Sequence, residues 1–159
     1  YFRPLEGGVS RAVVKFNDLG VEHSRRFRAL SVWFSLKTRG IGTFARLIEQ
    51  NVAQAEWLGQ RIEASKTLER MAPVSLNVVA FRFNPGGLAA DQLNLLNNRL
   101  LIEIQNRGVA VPSSTFLNGA FCLRVAIVNH RSRMEDFETL ASSAEAIGAE
   151  LQIKNGWTA

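Results

Sequence analysis

The stretch VAVPSSTFLNGAFCLRVAIVN, Val109–Asn129, decides the fold. Two runs rich in β-branched and aromatic residues, Val109–Phe116 and Phe121–Asn129, flank Asn118-Gly119. Asn-Gly readily adopts the two positive-φ positions of a tight hairpin turn, so two antiparallel neighbouring strands are expected. Side chains alternate faces along a strand. Phe121, Leu123, Val125 and Ile127 share the face that should meet helices. Cys122, Arg124, Ala126 and Val128 share the other.

Working upstream, Gly108 stops a helix expected over about Ala89–Asn106, with Leu93, Leu96, Leu100 and Ile104 on one side. Before it, SLNVVAFRF, Ser75–Phe83, reads as a strand ended by the turn residues NPGG. Downstream, a helix over about Arg133–Leu151 carries Phe137, Leu140, Ala144, Ile147 and Leu151 as its apolar stripe. The order strand, helix, strand, strand, helix predicts an α+β class: a small split β-α-β-β-α domain with helices on one face of an antiparallel sheet. Ahead of it, two helices form a helical arm. One runs from about Arg25 to Arg39, with Ser24 as N-cap and Leu30, Trp33 and Phe34 as its stripe. The other runs from about Thr43 to Ser65, with Phe44, Leu47, Ile48, Val52, Ala55, Leu58 and Ile62 on one face. Three parts are therefore expected: 1–23, the end of an upstream segment or a loop; 24–72, the helical arm; and 73–153, the small domain.

The apolar fraction of 47% and charged fraction of 21% describe a folded chain rather than a disordered one. No apolar run approaches the ~20 residues that span a bilayer, and the start has no signal-peptide pattern, so a cytoplasmic protein without a membrane partner is expected. A single cysteine, Cys122, excludes an internal disulfide and a zinc-type cysteine cluster. It is expected to be a small core residue. His23 and His130 have no partners at metal-ligand spacing. The net charge of +5 is spread along the chain, which argues against a nucleic-acid tail. HSRRFR, His23–Arg28, is the exception. Its cations oppose the macrodipole of the helix they precede. They read as a solvated helix start or as a place for a phosphate or carboxylate.

Arg124 sits among small neighbours, which leaves room for its guanidinium or for something it binds. It is either an exposed strand arginine paired with solvent or a nearby carboxylate, or a functional anion site.

Three segments, FNDLGVEHSRRFRALSVWFSLKTRG (Phe16–Gly40), SLNVVAFRFNP (Ser75–Pro85) and LNNRLLIEIQNRGVAVPSSTFLNGAFCLRVAIVNHRSRMEDFETLA (Leu96–Ala141), resemble the C-terminal region of the group II pyridoxal-phosphate-dependent amino acid decarboxylases, most closely those of the aromatic-L-amino-acid type. The resemblance covers about Val14 to Leu151. It implies part of a fold-type I carboxy-lyase that acts on a small amino acid substrate and works as a homodimer, with pyridoxal 5'-phosphate as cofactor. The partners it implies are a large cofactor-binding domain of the same enzyme and a second subunit. Lys15, Lys37, Lys66 and Lys154 do not match the family's cofactor lysine, which follows a histidine in a short motif, so that lysine is expected upstream of Tyr1. The catalytic loop is expected before or around residues 1–12. The isolated chain is accordingly expected to be inactive. Two positions carry over. Ser24 matches a Gly or Ser that approaches the cofactor phosphate and the substrate of the neighbouring subunit, and Arg124 matches an arginine that binds the substrate carboxylate in glutamate decarboxylase relatives. Arg25 and Arg28 match a basic pair assigned to structure and the subunit interface. The alternative is a non-catalytic dimerisation or regulatory module derived from the same family. A basic nucleic-acid-binding domain would rest on charge alone.

Overall fold

The structure, a computed structural model, describes residues 26–157. The chain divides into two compact units, Tyr1–Ile41 and Gly42–Ala159.

In the first unit, helix α1 spans Arg28–Arg39. Its N-cap is Phe27, which makes no side-chain capping bond. The expected start at Arg25 with a Ser24 cap is thereby corrected; Ser24 itself lies outside the described residues. A late start leaves Arg26 out of the first turn, where a cation would face the positive end of the helix dipole. The hydroxyls of Ser35 and Thr38 donate back to the carbonyls of Ser31 and Phe34, each at 2.8 Å. Gly40 ends the helix at φ 75°, in the left-handed region that glycine enters without a Cβ penalty. No residue of α1 is buried, and its stripe of Leu30, Trp33 and Phe34 is exposed.

Helix α2, Ile41–Glu63, leads into the second unit. There follow β1 (Leu68–Arg70), β2 (Val78–Phe83), α3 (Ala90–Asn106), β3 (Ser113–Leu117), β4 (Ala120–Ala126) and α4 (Met134–Lys154). The four strands form one sheet in the order β1-β2-β4-β3, with every neighbouring pair antiparallel. β2 and β3 thus run the same way with β4 between them, and α3 makes the connection: a split β-α-β unit. The β3–β4 hairpin closes from Leu117 to Ala120 across Asn118 (φ 51°) and Gly119 (φ 80°), the two left-handed positions that Asn-Gly supplies. Asn94 on α3 fastens the hairpin, donating to Gly119 O at 3.0 Å and accepting from Phe121 N–H at 2.7 Å.

The strand boundaries differ from the sequence reading: β2 begins at Val78 rather than Ser75, and β4 ends at Ala126 rather than Asn129. β3 begins at Ser113 rather than Val109, because Pro112 has no N–H to give a ladder and Val109 N–H is spent on Ile104 O, closing α3. β1 is not expected from sequence. It is a three-residue edge strand whose Glu69 pairs with Arg82.

The core lies on one face of the sheet. Val79, Phe81 and Phe83 from β2 and Phe121, Leu123 and Val125 from β4 meet Leu96, Leu100 and Ile104 of α3 and Phe137, Leu140, Ala144, Ile147 and Leu151 of α4. Burying a side chain of this size contributes about 1.5–3 kcal/mol. Fully buried Asn97 fills all its needs: it accepts from Phe83 N–H and donates to Phe83 O and Leu93 O, pinning the end of β2 to α3. The later half of α2 joins this core through Ala55, Leu58 and Ile62. Its earlier half does not: Ile48 is exposed, and Phe44 and Leu47 are only half-buried. Among the described residues, no helix is long and apolar enough to cross a membrane.

Candidate functional site

The sheet's other face has few large side chains. Alternation places Val78, Ala80 and Arg82 of β2, Ala120, Cys122, Arg124 and Ala126 of β4, and Ser113 and Thr115 of β3 on it. Two arginines stand here in different circumstances. Arg82 donates to Glu69 Oε2 at 2.7 Å, and Asn84 donates to the same oxygen at 2.7 Å. The Arg82 hydrogen bond holds the Glu69 carboxyl below its ordinary range against the opposing effect of burial, and the Asn84 amide helps. This group is complete in itself.

Arg124 is not. It lies directly across from Ala80 on β2 and from Ser113 on β3. Among the described residues its one side-chain partner is Ser113 Oγ, at 3.5 Å, and that hydroxyl itself donates to Arg124 O at 3.1 Å. Among the described residues no carboxylate lies within ion-pairing distance of this half-buried guanidinium. Such a group has five donors available for a planar anion. Cys122, next on the same face, is fully buried, and burial pushes its thiol up, away from the reactive thiolate.

Beside Arg124 a cavity of about 380 Å³ opens where β3 begins and β4 ends. Arg124, Ser113, Ser132, Asp136 and Thr139 supply its polar groups. Val111, Ala126, Phe137 and Leu140 supply much of the apolar wall. The turn carrying Ser132 is held in place. Asn129 accepts from Arg131 N–H through its side chain and from Ser132 N–H through its carbonyl. On α2, Gln50 donates to His130 O at 3.3 Å and buried Gln54 donates to Ser132 O at 2.7 Å. Asp136, on the first turn of α4, accepts from Arg133 N–H at 2.9 Å through Oδ2.

Of the residues singled out from sequence, Arg124 stands on the bare face, His130 is exposed in the β4–α4 turn, and Ser24 is outside the described residues. Sequence reasoning misses Ser132 and Asp136. They come near Arg124 only because the chain turns back at residue 129, and no local pattern signals that return. Among the described residues, no group of three or more His, Cys, Asp or Glu side chains is placed to hold a metal. Pyridoxal phosphate requires a lysine amine, and no lysine lines the cavity, so the described residues do not by themselves fit that cofactor.

No family model matches the chain. It is 34% identical over 141 residues to an aromatic-L-amino-acid decarboxylase of Bacillus atrophaeus, covering 88% of this chain and 29% of that protein. It is 31% identical over 145 residues to tyrosine decarboxylase 4 of Petroselinum crispum, covering 85% of this chain and 28% of that one. The fold matches that of Oryza sativa TDC, solved with PLP and tryptamine, at a TM-score of 0.77 and 22% identity, covering 89% of this chain and 31% of that one. The chain thus spans under a third of the length of these relatives. In sequence the chain is thus similar to the C-terminal third of aromatic-L-amino-acid and tyrosine decarboxylases, and in fold it is similar to the corresponding part of Oryza sativa TDC.

Proposed function

We propose that this chain is the C-terminal part of a pyridoxal-phosphate-dependent amino acid decarboxylase of fold type I, a cytoplasmic homodimeric carboxy-lyase, and that it is not catalytic alone. Residues 24–72 then link to the large domain and 73–153 form the small one. The cofactor and its lysine belong to residues outside this chain, as does most of the catalytic machinery. The reading is supported by similarity to decarboxylases along most of the chain. The buried free thiol of Cys122 suits a reducing compartment. Ser24 would approach the cofactor phosphate and substrate of the neighbouring subunit.

The observation that carries the site is the guanidinium of Arg124, which has no carboxylate partner among the described residues and stands on a face of small residues beside a cavity. A substrate carboxylate would complete it through two parallel charge-assisted hydrogen bonds, fixing both position and orientation. Lysine reproduces the charge but not the fork. In the complete enzyme, Arg124→Lys is therefore expected to lower kcat/KM about ten- to a hundredfold, the equivalent of one charged hydrogen bond. Melting temperature should change little. Both are measured on one preparation. A fall in stability with kcat/KM per folded site unchanged makes Arg124 a scaffold residue.

A further inference from the structure

We infer that Asn118 is a site of spontaneous covalent modification, a deamidation in which the tip of the β3–β4 hairpin reacts with itself and then with water. The sequence holds two Asn-Gly pairs, Asn118-Gly119 and Asn155-Gly156. Before glycine, the next backbone nitrogen reaches the asparagine carboxamide carbon with least hindrance, because no Cβ stands in the way. Both glycines stand in open space, so this feature does not rank them. Hydrogen bonding does. Among the described residues the exposed Asn118 carboxamide makes no hydrogen bond. The Gly119 N–H is equally unspent: the turn closes through Leu117 and Ala120, and Asn94 takes only Gly119 O. Asn155 is held at every point. Its Oδ1 accepts from Arg99, its Nδ2 donates to Leu151 O at 2.6 Å, and the Gly156 N–H donates to Ile153 O at 3.0 Å. Ring closure at Asn155 must break these contacts. At Asn118 there are none of that kind to break.

The reaction needs no reagent but water. The Gly119 nitrogen attacks Asn118 Cγ. The new N–Cγ bond forms, the Cγ–Nδ2 bond breaks, and Nδ2 leaves as ammonia with the proton that the Gly119 nitrogen gives up. The product is a cyclic imide, a succinimide. Water then opens it at either carbonyl. Attack at Cγ leaves aspartate. Attack at the Asn118 main-chain carbonyl leaves isoaspartate, whose backbone runs through Cβ and Cγ and is one carbon longer. No step changes an oxidation state. The position of the pair gives the reaction its consequence. Asn118 and Gly119 occupy the two left-handed positions of a two-residue turn, and loop length fixes hairpin register. An extra main-chain carbon does not fit that turn. It also displaces Gly119 O from Asn94, which ties the hairpin to α3. The competing reading is that the hairpin protects its own tip, since ring closure twists the chain away from the torsions of the turn. Opening the turn, however, breaks only the Leu117–Ala120 end of the ladder, and ends open at least cost.

The test incubates the 159-residue chain in mildly alkaline buffer, folded and in urea, and follows both Asn-Gly peptides by mass spectrometry over time. Circular dichroism checks that the first sample is folded. In urea the two pairs should deamidate at similar rates, because local sequence alone then decides. In the folded chain Asn118 should react about tenfold faster than Asn155, the protection expected of the hydrogen bonds around Asn155. Reaction at Asn155 as fast as at Asn118, or faster, overturns the inference. A tenfold gap that persists in urea overturns its structural cause. An Asn118 that reacts in urea and not in the folded chain also overturns it, and makes the turn its own protection. The product is tested separately. The purified isoaspartate form should melt below the starting chain. Asn118→Asp, which carries the same charge on an ordinary backbone and keeps an Asp-Gly turn, should melt close to it. If the two forms melt alike, the added main-chain carbon has no effect on the hairpin and that consequence is overturned.

Discussion

Gly148 shows how closely α4 lies on the sheet. A Cβ built there would stand 2.5 Å from the ring of Phe83, a side chain only 1% exposed at the centre of the core. No carbon pair tolerates that separation, so Gly148→Ala forces the ring or the helix to move. Alanine gains up to about 1 kcal/mol of helix propensity over glycine. Overpacking a core typically costs about 1–3 kcal/mol, and the clash should win. Gly148→Ala is expected to lower the denaturant midpoint, and Phe83→Leu in the same chain should recover part of the loss. Additive effects in that double-mutant cycle would show that the two residues do not meet. Nothing in the sequence around Gly148 announces this contact, since a helical glycine looks the same whether it faces solvent or a ring. Arg124 is the opposite case. Its face follows from strand alternation alone, so its separation from the core was legible. Its lack of a carboxylate partner was not, because Arg82 on the same face has one in Glu69, and only the sheet register decides which arginine is served.

Between elements, the strongest polar link joins α2 to α4. Arg61 donates through Nε to Glu138 at 2.9 Å and through its two terminal nitrogens to Glu145 at 3.0 and 3.3 Å. Ser65 adds a hydrogen bond to Glu145 at 2.6 Å and accepts from the N–H groups of Thr67 and Leu68, tying β1 to the same cluster. The Arg61 hydrogen bond, opposed by burial and helped by Ser65, holds the Glu145 carboxyl below its ordinary value of 4.5. A group whose folded pKa is depressed stabilises the fold above its unfolded value and loses that contribution as pH falls through the folded value. Stability should therefore decline below about pH 4.5 in the wild-type chain, and Glu145→Gln should flatten that part of the profile. At neutral pH the same substitution should cost about 1–2 kcal/mol, between an exposed and a buried pair. Urea melts from pH 3 to pH 7 check both, roughly spanning the carboxylate range. An acid limb equally steep in the variant would assign the pH dependence to other carboxylates. The helices and three of the four strands were readable because their apolar residues recur with the right period. β1 was not, since LER has no β-branched residue and pairs only because α2 and Ser65 deliver it to the edge of β2.

Over the whole molecule, apolar surface remains without a cover among the described residues. On α1, Leu30, Trp33 and Phe34 are each about half exposed or more, at 48%, 55% and 60%. On α2, Ile41 and Ile48 are exposed at 74% and 61%. Exposed apolar side chains of this kind, on each helix taken by itself, mark an interface. The isolated chain is expected to self-associate, with weight-average mass rising with concentration in sedimentation equilibrium, and Trp33→Glu should shift it toward monomer. A single monomeric species at every concentration would count against an interface there. The strand order has a further consequence, for synthesis. β4 occupies the seam between β2 and β3, yet of these four strands it is the last to leave the ribosome. Until Ala126 has emerged, β2 can pair only with the three residues of β1, and β3 has no partner at all. The nascent chain must therefore carry Phe81 and Phe83 unsealed until β4 has emerged, and a message cut before that point would yield strands that cannot close into a sheet.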